Sequence, residues 1–131
     1  SGDYDFSLSG LKTAVIRHVQ AERAAGREPP LEDLAASFQE AVVDVQVQKT
    51  MAAAEAAGVA TILLGGGVVA NTRLRERMAD EAERRGVGLH FPSPELCTDN
   101  AAMIASAGTF RLARGDRSSY DVAAEPGLSL Q

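Results

Sequence analysis

The segment TILLGGGVVANTRLRERM, residues 61–78, runs from an apolar stretch through three glycines into an arginine-rich helical pattern. The continuous apolar run at residues 59–64 contains β-branched side chains and is typical of a buried parallel strand. Asn71 is a residue type that caps helix N-termini, and the helical pattern of residues 72–85 ends at Gly86. The segment therefore predicts a strand, a turn and a helix of an α/β fold.

The glycines of this turn, Gly65–Gly67, admit two interpretations. Consecutive glycines before a helix N-terminus can leave backbone amides free to bind phosphate, and the helix dipole favours the same charge. The spacing fits neither the P-loop pattern nor GxGxxG, so neither standard nucleotide motif applies. Glycine and asparagine also serve an ordinary tight connection with Asn71 as the cap. The residues alone leave both interpretations open.

The patterns on either side of this unit predict the remaining architecture. Upstream, alternation in residues 4–8 predicts a short strand, Ser9 is the expected cap of a first helix, and a long helix runs from residue 31 to about 57. Downstream, VGLHF at residues 87–91 predicts a second strand, and residues 100–113 predict a helix of small residues. This order predicts an α/β fold with a small, mostly parallel sheet and several helices.

Composition and charge restrict the class of protein. The 131 residues, 45% hydrophobic and 24% charged, suffice for one globular domain with a core. The net charge of −5 gives no overall attraction to nucleic acid, although a local arginine cluster can still contact RNA. The single cysteine, Cys97, excludes an intrachain disulfide. The sequence has no apolar run of about eighteen residues and no secretion signal, so we expect a cytoplasmic protein without a membrane partner.

The segment SPELCTDNAAMIASAG, residues 93–108, contains a second candidate site. Asp99 and Asn100 stand at the start of its alanine-rich helix. A carboxylate there can bind a metal or orient a water, but more often it caps the helix, and one carboxylate makes no metal site. The two histidines, His18 and His90, show no ligand spacing. Taken alone, the segment favours a helix cap.

Basic residues provide the remaining candidates. Lys12, in the turn SGLKT at residues 9–13, can reach a phosphate, but a lysine in the first turn of a helix usually faces solvent. The arginines of residues 73–85 alternate with acidic residues at i,i+3 and i,i+4 spacing. This pattern predicts a solvated helix face with local ion pairs.

Three stretches, DFSLSGLKTAV, LLGGGVVANTRLRERM and PSPELCTDNAAMIA, together resemble the C-terminal half of the TsaD family over Asp5 to about Gly115. TsaD proteins are tRNA threonylcarbamoyladenosine transferases, once called glycoproteases. The resemblance implies one lobe of the two-lobed ASKHA fold of actin, Hsp70 and sugar kinases, with an adenine nucleotide between the lobes. It also implies transfer of a threonylcarbamoyl group from threonylcarbamoyl-AMP to N6 of the adenosine beside the anticodon, in tRNAs that read codons starting with A.

The resemblance also implies roles for individual residues. The family's GGVAAN turn matches residues 66–71, so Gly66 and Gly67 are expected at the phosphates and Asn71 at the adenylate. The family's aspartate in CTDNAAMIA ligates iron or zinc, and this role falls on Asp99. Three residues of the SGLKT turn are expected to line the same cleft: Ser9, Gly10 and Lys12. No residue is identified as catalytic.

The family's metal site also needs two histidines of an HxxxH motif on the N-terminal lobe, and this sequence has no such motif. One carboxylate cannot hold Fe²⁺ or Zn²⁺ at useful affinity. We therefore expect residues 1–131 to form a single domain, the C-terminal lobe of a bacterial TsaD protein, and to be inactive alone.

The resemblance implies several partners: the TsaD N-terminal lobe, TsaB and TsaE of the bacterial tRNA-modification complex, and tRNA through the whole protein. The apolar surface of an isolated lobe also predicts a homodimer. The alternative function is a non-catalytic scaffold that uses the nucleotide-cleft surface to bind a protein. A protease has little support, because no Ser-His-Asp or Cys-His arrangement can be assembled.

Overall fold

The computed structural model describes residues 4–127. Its elements, in chain order, are α1 Ser9–Ala24, α2 Leu31–Ala57, β1 Thr61–Leu63, a 3-10 helix Gly67–Ala70, α3 Thr72–Arg85, β2 Gly88–His90, α4 Pro94–Cys97 and α5 Ala101–Ala113. The two strands pair in parallel, with Thr61 opposite Gly88 and Leu63 opposite His90. The predicted α/β fold with a small parallel sheet is confirmed.

The core lies between α2, α3 and the sheet. Its buried side chains are Val43, Val47, Met51, Ala54, Ile62, Leu74, Met78 and Ala82. The α2 and α3 members recur every three or four residues, so each helix contributes one face. Full burial of a large apolar side chain stabilises a fold by about 1.5–3 kcal/mol. This packing holds α3 against α2, and Leu74 places the N-terminal turn of α3 beside that helix.

Glycine ends both core helices, as the sequence predicts. Gly58 after α2 and Gly86 after α3 have φ angles of +63° and +66°, a left-handed backbone that glycine adopts without strain. The amide of Val59 donates to Ala54 O, and that of Val87 donates to Ala82 O. Each helix therefore turns directly into a strand.

The predicted strand at residues 4–8 is wrong. Residues 5–8 have no regular structure, and the two strands found within residues 4–127 pair only with each other. The segment thus has no partner for its ladder hydrogen bonds. Ser9 is not the cap of α1, because Leu8 holds that position without a capping side-chain bond. Both strands are shorter than the runs that predicted them, and the four-residue α4 was not predicted.

The helices α1 and α5 lie outside the core, and neither contains a buried residue. Four large apolar side chains of α5 are exposed: Met103, Ile104, Phe110 and Leu112. No helix formed by residues 4–127 is long and apolar enough to cross a membrane.

Candidate functional site

The glycine turn between β1 and α3 contains more glycine than its backbone needs. Gly66 has φ +91° and ψ 168°, a conformation that is essentially restricted to glycine. Gly65 and Gly67 do not have a positive φ, and a Cβ at either position would meet no heavy atom within 4 Å. Within this turn, the backbone therefore requires glycine only at residue 66. The other two glycines leave space in which a ligand can approach the backbone.

Unused backbone donors line this turn. Within residues 4–127, no acceptor binds the backbone amides of residues 65–68, and these four residues are exposed. The 3-10 helix is closed by Val69 N donating to Gly66 O, at 3.1 Å, and by Asn71 N donating to Val68 O, also at 3.1 Å. The free amides precede the N-terminus of α3, where the helix dipole attracts an anion.

Asn71 is held at both ends of its side-chain amide. Its Oδ1 accepts a hydrogen bond from Leu74 N at 3.0 Å, which confirms the predicted cap of α3. Its Nδ2 donates to Gln39 Oε1 on α2 at 3.1 Å. The capping bond fixes which amide atom is oxygen, because the amide of Leu74 needs an acceptor. The second N–H of Nδ2 has no partner within residues 4–127 and is available to a ligand.

A cavity of about 240 Å³ opens beside Asn71, between α2 and the 3-10 helix. Its lining residues are Phe38, Gln39, Val42, Val43, Gln46, Val68, Asn71 and Leu74. Gln46 Oε1 is buried and has no hydrogen-bond partner among residues 4–127. A mostly apolar cavity with a few polar groups is typical of small-molecule sites, and a buried oxygen without a donor is costly unless a ligand supplies one.

Arg75 on α3 connects the glycine turn with the second candidate segment, a role that the sequence analysis missed. Its Nε donates to Val69 O, and its Nη2 donates to Pro92 O and lies near Cys97 Sγ, both at 3.0 Å. Its guanidinium carbon lies 4.6 Å from the centre of the Phe91 ring. The expected solvated position is wrong for this residue. The available signal was its place one turn after the helix cap, because helical side chains point back toward the N-terminus.

Arg73 forms the predicted local pair with Glu76, but Arg73 and Arg77 also bind acidic residues of α2, which was not predicted. Arg73 Nε lies 2.5 Å from Glu40 Oε1. Arg77 Nη1 lies 3.3 Å from Glu40 Oε2, and Arg77 Nη2 lies 2.9 Å from Asp44 Oδ1. The hydrogen bond from Arg73 is the main cause that lowers the pKa of Glu40 below its ordinary value. These ion pairs join the N-terminal half of α3, which follows the glycine turn, to α2. The arginines at the other end of α3 form the predicted local pairs.

Asp99 follows α4 by two residues and is exposed. Its carboxylate takes part in no hydrogen bond or ion pair within residues 4–127. The cap of α5 is Asn100, whose Oδ1 accepts from Met103 N at 3.0 Å. The interpretation of Asp99 as a helix cap is therefore wrong, and the fold makes no use of its carboxylate.

The described residues do not by themselves fit a metal ion. Within residues 4–127, no group of three or more His, Cys, Asp and Glu side chains is placed to hold one. His18 on α1 and His90 on β2 are both exposed. Asp99 offers one oxygen ligand group, and tight binding of iron or zinc requires further ligands.

Residues 9–13, expected as a turn, form the first residues of α1, and they do not line the cavity beside Asn71. Ser9 Oγ lies 3.2 Å from Ser7 Oγ, and Gly10 is exposed. Lys12 lines an apolar groove between α1 and α2. Their place in a nucleotide cleft stays a prediction.

A family model described as TsaD, tRNA N6-adenosine threonylcarbamoyltransferase, matches residues 1–106. Proteins named tRNA N6-adenosine threonylcarbamoyltransferase resemble this chain in Symbiobacterium thermophilum (53% identity over 98% of the chain), Desulfitobacterium hafniense (46% over 98%) and Sorangium cellulosum (52% over 96%). The chain spans 38%, 38% and 35% of the length of these three relatives.

Proposed function

Because the chain belongs to the TsaD family, we propose that it takes part in transferring a threonylcarbamoyl group from threonylcarbamoyl-AMP to N6 of the adenosine next to the anticodon, in tRNAs that read codons starting with A. In this proposal the chain is the C-terminal lobe of the enzyme and is inactive alone. The spans of 35–38% of the relatives' lengths support a division of the site between this chain and a further lobe.

The proposed reaction releases an anion at the glycine turn. The N6 amine attacks the carbamoyl carbon, a C–N bond forms, the bond from that carbon to the phosphate oxygen breaks, AMP leaves, and the amine loses a proton. Negative charge on the phosphate of the leaving AMP suits the amides of residues 65–68 and the N-terminus of α3. The role of this chain is to bind and orient that phosphate.

The observation that carries the proposal is the excess of glycine in this turn. Of the three glycines of the turn, the backbone requires only Gly66, yet Gly65 and Gly67 also lack a side chain and adjoin free amides. A bound phosphate explains both features. The cavity beside Asn71 offers the adenosine part an apolar wall, a free N–H and the buried acceptor Gln46 Oε1, which suits an exocyclic amine.

Asp99 is proposed as one ligand of an iron or zinc ion in the complete enzyme, with histidines of the N-terminal lobe as the other ligands. The exposed carboxylate, which the fold does not use, supports this role. We expect Asp99→Ala to lower the metal content of the complete enzyme, measured by elemental analysis. Unchanged metal content would contradict the assignment.

The exposed apolar side chains of α1 and α5 support a covering partner, for which the proposed candidates are the N-terminal lobe, TsaB and TsaE. The tRNA would bind through the complete enzyme. A homodimer of the chain alone would use the same surface.

The test uses a chimera in which this chain replaces the matched segment of the S. thermophilum relative. We expect the chimera to modify tRNA, measured by mass spectrometry of nucleosides, and the 131-residue chain alone to be inactive.

Gly67→Ala should weaken adenylate binding because its methyl group fills the ligand space, while Gly108→Ala on α5, also in open space, is the control. Transfer by the chain alone, or unaltered binding by Gly67→Ala, would contradict the proposal. Full transfer by Asn71→Ala and Asp99→Ala chimeras would favour the scaffold.

A further inference from the structure

We propose that Arg75 is a positioning residue, which fixes the segment leading to Asp99 against the glycine turn. The inference rests on the transferase function proposed above, in which the glycine turn and Asp99 act on one substrate. In this role the guanidinium of Arg75 does not contact the substrate. Arg75 acts through the backbone positions that it joins.

The contacts of Arg75 lie on both sides of the site. On one side, Nε binds the carbonyl of Val69, which is 5% exposed and belongs to the 3-10 helix of the glycine turn. On the other side, Nη2 binds Pro92 O, which precedes α4, and Cys97 Sγ, at the end of α4. One planar group therefore sets the distance between the two chain segments.

Asp99 depends on this link more than on its own surroundings. It is exposed, and α5 after it has no buried residue. The anchored part nearest to it is Cys97, two residues earlier, which is 4% exposed and also approaches Pro92 O at 3.8 Å. The packing of α4 on the 3-10 helix and the hydrogen bonds of Arg75 together determine where the carboxylate lies relative to the amides.

Arginine is the residue type that this geometry needs. The guanidinium donates in two directions from one plane and lies over the Phe91 ring. Lysine keeps the charge but has a single nitrogen, so it cannot bind Val69 O and Pro92 O in this geometry. Arg75→Lys thus removes the link while preserving charge. Arg84→Lys is the matched control, because the Arg84 side chain is 71% exposed and pairs with Glu81 on the same helix.

The first measurement is steady-state transfer by the complete transferase that contains this chain. Misplacement of a reacting group by about 1 Å can cost on the order of 10²-fold in rate. We expect Arg75→Lys to lower kcat by that order with little change in KM for threonylcarbamoyl-AMP, because the phosphate-binding amides remain. Arg84→Lys should resemble the wild type. Equal kinetics of the two variants, or a change in KM alone, would overturn the inference.

The second measurement does not depend on activity. Arg75 Nη2 lies 3.0 Å from the buried Cys97 Sγ, so a soluble thiol reagent should label Cys97 severalfold faster in Arg75→Lys than in Arg84→Lys, with both variants equally folded by circular dichroism. Equal labelling rates would show that Arg75 does not hold this segment and would overturn the inference. A wild-type enzyme without transfer activity would defeat the proposed function, and the labelling rates would still decide whether Arg75 makes the link.

Discussion

The centre of the molecule and its two outer helices use apolar residues in opposite ways. The centre buries Met51 and Met78 to 1% and 2% exposure between α2, α3 and the sheet. On α5, Met103, Ile104 and Phe110 are 51%, 71% and 73% exposed. Both regions are helical and similar in residue type, so composition does not distinguish them.

This contrast separates the region that the chain stabilises by its own packing from the helix faces that the proposed partner would cover. The glycine turn, Asn71 and Arg75 belong to the centre or adjoin it, whereas Asp99 lies at the boundary with α5. Under the proposed function, the phosphate-binding part adjoins the chain's own core, whereas the metal-binding part would need a second lobe. Matched substitutions in the two regions test this division.

The largest contrast is expected between two methionine substitutions. Met51→Ala removes a fully buried side chain, and cavity formation in a core costs about 2–5 kcal/mol. Met103→Ala makes the same change on exposed α5, where surface substitutions usually stay within about 0.5 kcal/mol. Urea unfolding of the chain, followed by circular dichroism, measures both. A large loss from Met103→Ala would mean that α5 is already packed in the chain alone.

The next contrast uses two glycines with similar backbones. Gly66 has φ +91° in the turn, and Gly115 has φ +89° after α5. Alanine in such a conformation is strained by about 1–3 kcal/mol. Gly66→Ala should lower the free energy of unfolding by this order and weaken adenylate binding, because the core holds its turn. Gly115→Ala should leave global unfolding unchanged, because the end of α5 can relax; an equal loss from both would refute the division.

The sequence predicted the elements whose signals are local. The structure confirms the cap Asn71, the terminal glycines Gly58 and Gly86, and the extent of α2, each of which depends on neighbours within a few residues. The predicted strand at residues 4–8 failed, because strand formation needs a partner that alternation alone does not reveal. Local patterns predict helices better than sheet membership for this reason.

The site divides in the same way. The glycines and Asn71 were identified because their motif is contiguous and capping chemistry is local. Arg75 was missed because its acceptors, Pro92 O and Cys97 Sγ, lie 17 and 22 residues away along the chain. The pairing of Arg73 with Glu40 joins residues 33 apart and was hidden by the nearer acidic residues of α3. Long-range contacts of arginine cannot be read from i,i+4 spacing.

A smaller contrast is expected between two helix caps. Asn71 caps α3 and Asn100 caps α5, each through a 3.0 Å bond to the amide three residues later. Replacing such a cap by alanine costs about 0.5–2 kcal/mol of helix stability. Asn71→Ala should lower global stability by this amount because α3 is part of the core. Asn100→Ala should only speed amide exchange within α5, and a shifted global unfolding midpoint would argue that α5 unfolds together with the core.

The smallest contrast concerns two carboxylates whose pKa values are lowered by arginine hydrogen bonds. Arg73 lowers the pKa of Glu40 between α2 and α3, and Arg27 lowers that of Glu22 near the end of α1. A carboxylate with a lowered folded-state pKa stabilises the fold above its ordinary pKa of 4.5, and this contribution disappears as pH falls through the lowered value.

Glu40→Gln should therefore reduce the free energy of unfolding at neutral pH, and its difference from the wild type should vanish on acidification below the lowered pKa of Glu40. Glu22→Gln should change global unfolding little at any pH, because its pair with Arg27 is confined to the end of α1. Urea unfolding at low ionic strength across this pH range provides the measurement, since salt screens exposed pairs. If the two variants showed the same pH dependence, the ion pairs of Glu40 would not stabilise the packing of α3 on α2. The position of α3 after the glycine turn would then depend on apolar packing alone.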